Sequence, residues 1–432
     1  MKLCMIGTGY VGLVSGACFA DLGNTVYCVD KDEDKIDMLN NGEVPIYEPG
    51  LTEIVKKNYL SKRLIFTTDL GEAVKNSEII FICVGTPTSK ENKSAELHYV
   101  YTVAKQLSKF INKFKIIVTK STVPVSTGDK IEKIILKYKR KKLFEVISNP
   151  EFLREGEAIR DFRFPDRIII GSNNNKVTKK IESLYEPLIK KGATFFSTDR
   201  RGAEMIKYAS NAFLATKISY INEIANLCEK TKVDVESVSI GMGLDKRIGS
   251  RFLRAGPAYG GSCFPKDTKA LTVTGDFYKT NLSIIKSVIK SNSRRKIILI
   301  DRVKKILSNK TKNKKIAILG VTFKPNTDDM RESASLIAIP YLHKMGAKIS
   351  YYDPSGEKKE FAKLKNVVFC SSISDACFKA DLILILTEWD EFKSIDFRKI
   401  SRNKKVKIYD MRNLYSPKKM RKLGLNYYSI GR

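Results

Sequence analysis

The residue whose type and surroundings most clearly suggest a chemical role is Cys263, which lies in the segment GGSCFPKD at residues 260–267. Its thiol stands in a glycine-rich turn, and a cation and a carboxylate follow it, Lys266 and Asp267. A thiolate in such surroundings can act as a covalent nucleophile. Most cysteines are small buried hydrophobes, so Cys263 taken alone favours a packing role over a catalytic one. The other motifs of the chain decide between these two interpretations.

The N-terminus carries a dinucleotide-binding pattern. A predicted strand at residues 2–6 leads into GTGYVG at residues 7–12, and a helix follows before a second strand, residues 25–29, which ends at Asp30. The glycines permit a tight turn and let backbone N–H groups approach a pyrophosphate at the helix N-terminus. Asp30 would accept hydrogen bonds from the adenosine ribose and would repel the 2′-phosphate of NADP. The pattern therefore predicts NAD as the cofactor.

Strand-like and helical segments alternate through the first 200 residues, which predicts a doubly wound parallel sheet. The further predicted strands are 64–67, 78–84, 115–119 and 144–148. Two of them run into the turns VGTPT and STVPV, which contain Thr86 and Thr122. Because ligands bind beyond the carboxyl ends of such strands, we expect both turns to border the cofactor.

The pattern changes at residue 201 to one long helix that extends to about residue 230. Lys207 and Asn211 lie four residues apart and share a face of this helix. Lys207 is either a surface residue whose aliphatic stem packs on the protein or a desolvated cation that stabilises an oxyanion. The helical region is predicted to continue to about residue 307, interrupted by the turn of Cys263.

The strand–helix pattern returns in the last third of the chain. Strands are predicted at 315–319, 348–352, 381–386 and 406–409, with a helix at 332–344. The second and third glycines of the fingerprint are missing here, so a substrate nucleotide is a more natural ligand than NAD. The segment FKPNTDDMRES at 323–333 opens the helix, where a phosphate could bind. The sequence thus predicts an α/β protein with two Rossmann-like doubly wound domains, residues 1–200 and 308–432, joined by a central helical domain, residues 201–307.

The composition limits the possible functions. The net charge is +31, but the lysines are spread along the whole chain, which favours a basic surface that attracts acidic small substrates over a nucleic-acid interface. A basic nucleic-acid-binding protein with an inactive Rossmann fold remains the alternative. The longest apolar stretches have the length of strands, whereas a membrane span needs about 20 residues, so we expect no membrane insertion.

The cysteines and histidines indicate which chemistry is available. The eight cysteines show no metal-ligand or paired spacing, which predicts reduced thiols in a cytoplasmic protein without a metal site. The first 20 residues resemble a signal peptide, but cleavage would destroy the glycine fingerprint. With only His98 and His343, neither in a motif, a base must be Lys, Asp, Glu or an activated water. Tyr101 and Lys105 match the Tyr-x-x-x-Lys pair of short-chain dehydrogenases by spacing alone.

Taken together, these motifs resemble the UDP-glucose/GDP-mannose dehydrogenase family over essentially the whole chain. The matching blocks, in order, are GTGYVG, VGTPT, STVPV, NPEFLREG, Lys207 with Asn211, GGSCFPKD and FKPNTDDMRES. The resemblance implies oxidation of the primary alcohol of a nucleotide sugar to a carboxylate, with two NAD per sugar, through a thiohemiacetal and a thioester. It also implies at least a homodimer built on the central helices. The alternatives that stay open are oxidation of GDP-mannose or of UDP-N-acetylmannosamine, but NPEFLREG and the segment that follows it favour UDP-glucose.

The resemblance assigns roles to individual residues. The expected catalytic residues are Cys263 as nucleophile, Lys207, Asn211 and Asp267 in proton transfer and oxyanion stabilisation, Glu151 in thioester hydrolysis, and Thr122. The expected NAD contacts are Gly7, Gly9, Val11, Gly12, Asp30, Lys35, Thr86, Thr122, Glu155, Lys266 and Arg331. The expected substrate contacts are Glu151, Phe152, Leu153, Arg154, Glu155, Lys207, Asn211, Arg247, Phe252, Leu253, Arg254, Ala255, Gly256, Gly260, Lys324 and Arg412. Arg247 is expected to reach the site of a neighbouring subunit.

Overall fold

The computed structural model describes residues 1–89, 91, 94–403 and 405–432. It divides into two compact units. The first unit comprises residues 1–210 and 269–280, and the second comprises residues 211–268 and 281–432. The predicted three-domain division, with boundaries at residues 200 and 307, stays a prediction. No helix among the described residues is long and apolar enough to cross a membrane.

An eight-stranded sheet forms the centre of the first unit. Its strands are β1 (Lys2–Ile6), β2 (Thr25–Val29), β3 (Leu64–Thr67), β4 (Ile79–Ile82), β5 (Lys115–Thr119), β6 (Phe144–Ser148), β7 (Arg167–Gly171) and β8 (Thr194–Thr198). Their order is β3-β2-β1-β4-β5-β6-β7-β8. The chain order reverses between β1 and β4, which is where ligands bind in doubly wound sheets.

Helices cover both faces of this sheet because alternate residues of its central strands are apolar on both sides. Leu3 and Met5 of β1 belong to one buried cluster, whereas Cys4 and Ile6 belong to another. The helices are α1 (Tyr10–Asp21), α2 (Glu33–Asn40), α3 (Leu51–Leu60), α4 (Leu70–Asn76), α5 (His98–Phe110), α6 (Thr127–Leu136), α7 (Ala158–Arg163) and α8 (Asn175–Ile189), with a 3₁₀ turn at Lys141–Leu143.

The second unit contains a six-stranded parallel sheet and part of the long central helices. Its strands are β9 (Lys315–Leu319), β10 (Lys348–Tyr352), β11 (Val367–Phe369), β12 (Leu382–Ile385), β13 (Lys407–Asp410) and β14 (Asn426–Ser429), in the order β11-β10-β9-β12-β13-β14. The later helices are α9 (Arg200–Thr231), α10 (Val235–Gly243), α11 (Phe264–Phe277), α12 (Ser283–Ile306), α13 (Ser335–Lys344), α14 (Ile373–Cys377), α15 (Phe397–Ser401) and α16 (Pro417–Lys422), with a 3₁₀ turn at Asp390–Ser394. Helix α9 begins in the first unit and continues in the second.

The two Rossmann-like sheets are confirmed, with corrections at particular elements. β6 and β7 pair antiparallel, through Ser148 and Gly171, so the first sheet is not parallel throughout. β7 and β8 pair with each other in parallel and extend the sheet at that edge. The helix predicted from residue 332 begins at Ser335 instead, because Glu332 has a φ of 55°, which a right-handed helix cannot contain.

Candidate active site

The turn between β1 and α1 has the geometry that a bound pyrophosphate requires. A Cβ at Gly7 would lie 2.9 Å from the Cys83 carbonyl oxygen, and a Cβ at Gly12 would lie 1.8 Å from the Gly7 carbonyl oxygen. Only glycine therefore fits at these two positions. At Gly9 a Cβ would meet no protein atom within 4 Å, so the backbone is open there. Since α1 begins at the next residue, Tyr10, a diphosphate can approach the helix N-terminus, and the chain fits NAD.

Asp30 follows the end of β2 and holds its carboxylate ionised. Its Oδ2 accepts hydrogen bonds from the N–H and hydroxyl of Thr8 at 2.8 and 2.9 Å, and Lys35 Nζ lies 3.8 Å away. Burial alone would raise the pKa of Asp30, but these partners outweigh it and lower the pKa below its ordinary value. The other oxygen, Oδ1, accepts from the Asp32 N–H at 3.3 Å, a weak bond that a ribose hydroxyl can supplement.

The Asp30→Ala variant is expected to raise the KM for NAD about 10-fold or more, because a hydrogen bond to a charged acceptor is lost. The KM for NADP should fall relative to that for NAD, because the repulsion of the 2′-phosphate is removed. Asp34→Asn is the matched control, since Asp34 is an exposed carboxylate in the first turn of α2. Steady-state kinetics with NAD and with NADP measure the KM for each cofactor, in the variant and in the wild type. An unchanged NAD/NADP preference would contradict the role given to Asp30.

The turns after β4 and β5 lie against each other. The hydroxyl of Thr86 donates to the carbonyl oxygen of Thr122 at 2.9 Å, and both residues are buried. The structure therefore brings together the two turns that the sequence placed beside the cofactor. Beyond Thr122 the chain enters α6, where the backbone N–H groups of Ser126 and Gly128 donate to the carboxylate of Glu204 at 2.7 and 2.8 Å.

Lys207 and Glu151 form a buried pair in the first unit. Lys207 Nζ donates to the carbonyl oxygen of Glu151 at 2.5 Å and lies 3.1 Å from its Oε1. The exposed fractions of the two side chains are only 4 % and 5 %. The ring of Phe152 also lies against this ammonium, with 5.0 Å between Nζ and the ring centroid. Lys207 is therefore the desolvated cation of the two alternatives, not a surface lysine.

Cys263 directly precedes α11 in the second unit. Its carbonyl oxygen accepts the Asp267 N–H at 2.8 Å, so the thiol-bearing residue caps the helix N-terminus. Thiolates are stabilised at such positions. Asp267 is fully buried, and its oxygens accept from Asn211 Nδ2 and from Lys266 Nζ, each at 2.6 Å. The second unit thus holds Cys263 one helical turn before a buried carboxylate that is paired with a lysine and an amide donor.

A cavity in the second unit has two of the predicted substrate residues, Gly260 and Arg412, in its lining. It is lined by Pro257, Gly260, Phe323, Glu332, Leu386 and Arg412, among others. Arg412 donates to the carbonyl oxygens of Leu386 and Phe323 at 2.7 and 2.8 Å. It also pairs with Glu388 at 2.9 Å. The guanidinium is therefore fixed, and its Nη1 lies 3.4 Å from the place where a Cβ of Gly256 would stand.

The other predicted residues fall into three local groups, two of which are loops, one in each unit. The first unit holds Leu153, whose N–H donates to Glu151 Oε2 at 2.5 Å, and Arg154, which pairs with Asp161 at 2.6 Å; Glu155 follows in the same loop. In the second unit, Leu253 and Ala255 are buried, Phe252 has a φ of 66°, and Arg254 donates to the Arg412 carbonyl oxygen at 3.1 Å.

The third group consists of basic residues with local partners. The side chain of Arg247 is 89 % exposed and pairs with Asp245 at 2.6 Å. Arg331 pairs with Asp329 at 2.8 Å, and Lys324 Nζ lies 5.5 Å from the centroid of the Phe323 ring. The ligand contacts expected of these residues stay predictions, as do those of Val11, Lys35, Lys266 and every other predicted site residue.

Sequence reasoning missed three buried groups that support these residues. Lys120 Nζ lies 3.1 Å from Asn149 Oδ1, two residues before Glu151, and burial lowers the pKa of Lys120 to about 8. Glu48 accepts from the Tyr10 hydroxyl and from the Gly156 N–H at 2.6 Å, so it connects the glycine turn to the loop after Glu151. Burial raises the pKa of the third group, the Glu204 carboxyl, to about 7. For Lys120 and Glu204 the available signal was a charged residue close to apolar residues, whereas Glu48 offered none.

Comparison with known proteins gives matches over nearly the whole chain. Residues 1–189, 201–294 and 317–417 match the NAD-binding, central and UDP-binding domain models of the UDP-glucose/GDP-mannose dehydrogenase family. The UDP-glucose 6-dehydrogenases of Rhizobium meliloti and Bacillus subtilis (TuaD) are each 46 % identical over 100 % of this chain and over 100 % and 93 % of their own lengths. A UDP-glucose dehydrogenase structure from Pyrobaculum islandicum has a TM-score of 0.90 at 34 % identity, covering 99 % of this chain and 96 % of its own. A UDP-D-ManNAc dehydrogenase structure from Pyrococcus horikoshii has a TM-score of 0.87 at 26 % identity, covering 100 % and 99 %.

Proposed function

The chain belongs to the UDP-glucose/GDP-mannose dehydrogenase family, and from that premise we propose that it oxidises UDP-glucose to UDP-glucuronate through a thioester on Cys263. The protein is an NAD-dependent dehydrogenase. The observation that carries the proposal is the position of Cys263 at the N-terminus of α11, one helical turn before the buried, hydrogen-bonded carboxylate of Asp267.

NAD, when bound, supplies the hydride acceptor for both oxidations. The residues that would hold it are Gly7, Gly9 and Gly12, where the backbone can approach the pyrophosphate, and Asp30, which would accept from the adenosine ribose. The turns containing Thr86 and Thr122 lie at the carboxyl ends of β4 and β5, on the same edge of the sheet.

The first oxidation converts the C6 alcohol of the sugar to an aldehyde, with loss of a hydride to the cofactor and of a proton to water. The Cys263 thiol then adds to the aldehyde carbon and gives a thiohemiacetal, which holds the intermediate on the protein. Loss of a second hydride and proton gives the thioester. Water breaks the thioester, releasing the carboxylate and restoring the thiol, so each sugar consumes two NAD.

The remaining residues stabilise the developing charge and transfer protons. The Lys207 ammonium, desolvated as it is, stabilises the alkoxide or oxyanion that develops on the sugar, because electrostatic stabilisation is strongest where water is excluded. Asp267, whose oxygens accept from Asn211 and Lys266, follows Cys263 by one helical turn, and we assign it the role of taking the proton of the thiol. Glu151 directs the water that hydrolyses the thioester.

A panel of nucleotide sugars tests the function. The protein is mixed with NAD and UDP-glucose, GDP-mannose or UDP-N-acetylmannosamine, and NADH is followed by absorbance. We expect two NADH per UDP-glucose and little with the other sugars. Equal or greater turnover with another sugar would overturn the substrate assignment but keep the chemistry. No NADH with any sugar, together with salt-sensitive DNA binding, would favour the nucleic-acid-binding alternative.

We also propose a homodimer, or a larger homo-oligomer, built on α9. Phe213, Tyr220 and Leu227 repeat every seven residues along this helix and are 65, 48 and 58 % exposed. Such a stripe of large apolar side chains is typical of a helix that packs against a second helix. All eight cysteines are free, and a catalytic thiol needs a reducing compartment, so we propose the cytoplasm.

A further inference from the structure

The segment before Cys263 is held by a helix that has no role in the mechanism above. α12 carries Asn292, which is only 7 % exposed. Its Oδ1 accepts the Tyr259 N–H at 2.9 Å, and its Nδ2 donates to the Tyr259 carbonyl oxygen at 3.0 Å. One buried amide thereby fixes both backbone groups of a residue four positions before Cys263.

The turn that follows Tyr259 has little freedom of its own. The N–H of Gly261 donates to the Arg331 carbonyl oxygen at 2.7 Å. A Cβ at Gly260 would lie 2.7 Å from the Glu332 carbonyl oxygen, which is closer than real Cβ atoms approach. Since only three residues separate Tyr259 from Cys263 and the backbone at Gly260 lies close to Glu332, we expect a displacement of Tyr259 to reach the thiol.

The residue on the other side of the thiol also depends on Tyr259. Phe264 follows Cys263 and begins α11. The rings of Tyr259 and Phe264 meet edge to face, with their centroids 6.2 Å apart and their planes at 89°. Aromatic pairs in this arrangement prefer a defined geometry. The backbone on both sides of the thiol is thus positioned relative to one tyrosine.

The face of α12 that carries Asn292 also holds the opposite side of the turn. Lys296, four residues further on, is 5 % exposed and donates to the Glu332 carbonyl oxygen at 2.9 Å. Arg295 donates to the Gly256 carbonyl oxygen at 3.2 Å. α12 therefore contacts the loop before Cys263 at several points, and Asn292 makes the contact closest in sequence to the thiol.

We propose that Asn292 is a positioning residue that sets the place of the Cys263 thiol at the N-terminus of α11 by holding Tyr259. The proposal rests on the proposed function of Cys263 as the nucleophile. Its expected consequence is large, because a displacement of about 1 Å in a reacting geometry can cost about 100-fold in rate.

The Asn292→Ala variant is expected to lower kcat about 10- to 100-fold, while the KM values for UDP-glucose and NAD stay nearly unchanged. A second readout needs no substrate: alkylation of the folded protein by iodoacetamide, followed by peptide mass spectrometry. Cys263 and Cys370 are the two partly exposed cysteines, so Cys370 is an internal reference. We expect slower alkylation at Cys263, whose thiol leaves the helix N-terminus, and no change at Cys370.

Asn413 provides a matched control in the same unit. It is 5 % exposed, and its amide makes the same two bonds to the backbone of Ile430, both 2.9 Å. Because Asn413 has a φ of 53°, Asn413→Gly removes the amide without backbone strain. This variant is expected to lose unfolding stability but not to slow the alkylation of Cys263. Equal slowing of Cys263 alkylation in Asn292→Ala and Asn413→Gly would overturn the proposal. A wild-type kcat together with a wild-type alkylation rate in Asn292→Ala would overturn it as well.

The Asn292→Asp variant keeps the acceptor for the Tyr259 N–H and should fall between the wild type and Asn292→Ala. If Asn292→Ala does not fold, the kcat and the Cys263 alkylation rate of Asn292→Asp test the proposal in its place. The alkylation measurement also separates this proposal from the proposed function. Full turnover by Cys263→Ser would refute the covalent mechanism, yet the alkylation rates would still report whether Asn292 positions the thiol.

Discussion

Replacing Cys263 with serine is expected to lower the overall oxidation of UDP-glucose by about 10⁴-fold or more, as removal of a catalytic nucleophile does in other enzymes. A serine hydroxyl is ionised far less readily than a thiol and cannot form the thioester. The variant should produce at most one NADH per sugar, because the aldehyde is no longer retained. Single-turnover absorbance and product chromatography measure both quantities.

Cys370→Ser is the matched control for this change. Cys370 is also free and partly exposed, but it follows β11, and the mechanism gives it no role. We expect wild-type turnover from this variant. Two NADH per sugar at an undiminished rate from Cys263→Ser would show that the reaction needs no covalent sulfur intermediate.

Replacing Lys207 with methionine is expected to lower kcat by about 100- to 1,000-fold, because a preorganised charge at the developing oxyanion is lost. The change also leaves the Glu151 carboxylate buried without its cation, which costs about 3–5 kcal/mol of stability. Thermal unfolding is therefore measured beside the kinetics. Lys230→Met is the control, because Lys230 is an exposed lysine in the same helix.

The double variant Lys207→Met, Glu151→Gln separates catalysis from stability. Removing the unpaired carboxylate should restore part of the unfolding temperature, since no buried charge remains without a partner. It should not restore kcat, because the cation is still missing and the Glu151 carboxylate that directs the hydrolytic water is also gone. Recovery of both quantities together would mean that Lys207 acts only by stabilising the fold.

Much of the fold could be predicted because its strands are apolar runs bounded by glycine or a charged residue. β1, β5 and β9 have the predicted bounds, and each is buried along most of its length. β8 was missed because its residues are largely exposed, and β14 because it is a short edge strand, Asn-Tyr-Tyr-Ser, in which no residue is fully buried. The antiparallel pairing of β6 and β7 depends on how the chain returns to the sheet, which local periodicity does not encode.

The candidate site shows a similar limit. Residues that carry chemistry stand in compact motifs, so Cys263, Lys207 and Asp30 could be identified by type and spacing. Glu48 and Asn292 could not, because they act on backbone groups 108 and 33 positions away in the chain. Their side chains have no motif around them, and their role appears only when the chain has folded.

The central claim is that Cys263 carries the sugar as a thioester, and the mass of the Cys263 peptide during turnover tests it most directly. Glu151→Gln keeps an acceptor for Lys207 but cannot take a proton from water, so thioester hydrolysis should slow and the intermediate should accumulate. We expect the Cys263 peptide of this variant, quenched after mixing with UDP-glucose and NAD, to carry the UDP-glucuronoyl acyl group, joined through C6 as a thioester. Formation of UDP-glucuronate in the first turnover with an unmodified Cys263 peptide throughout would contradict the account.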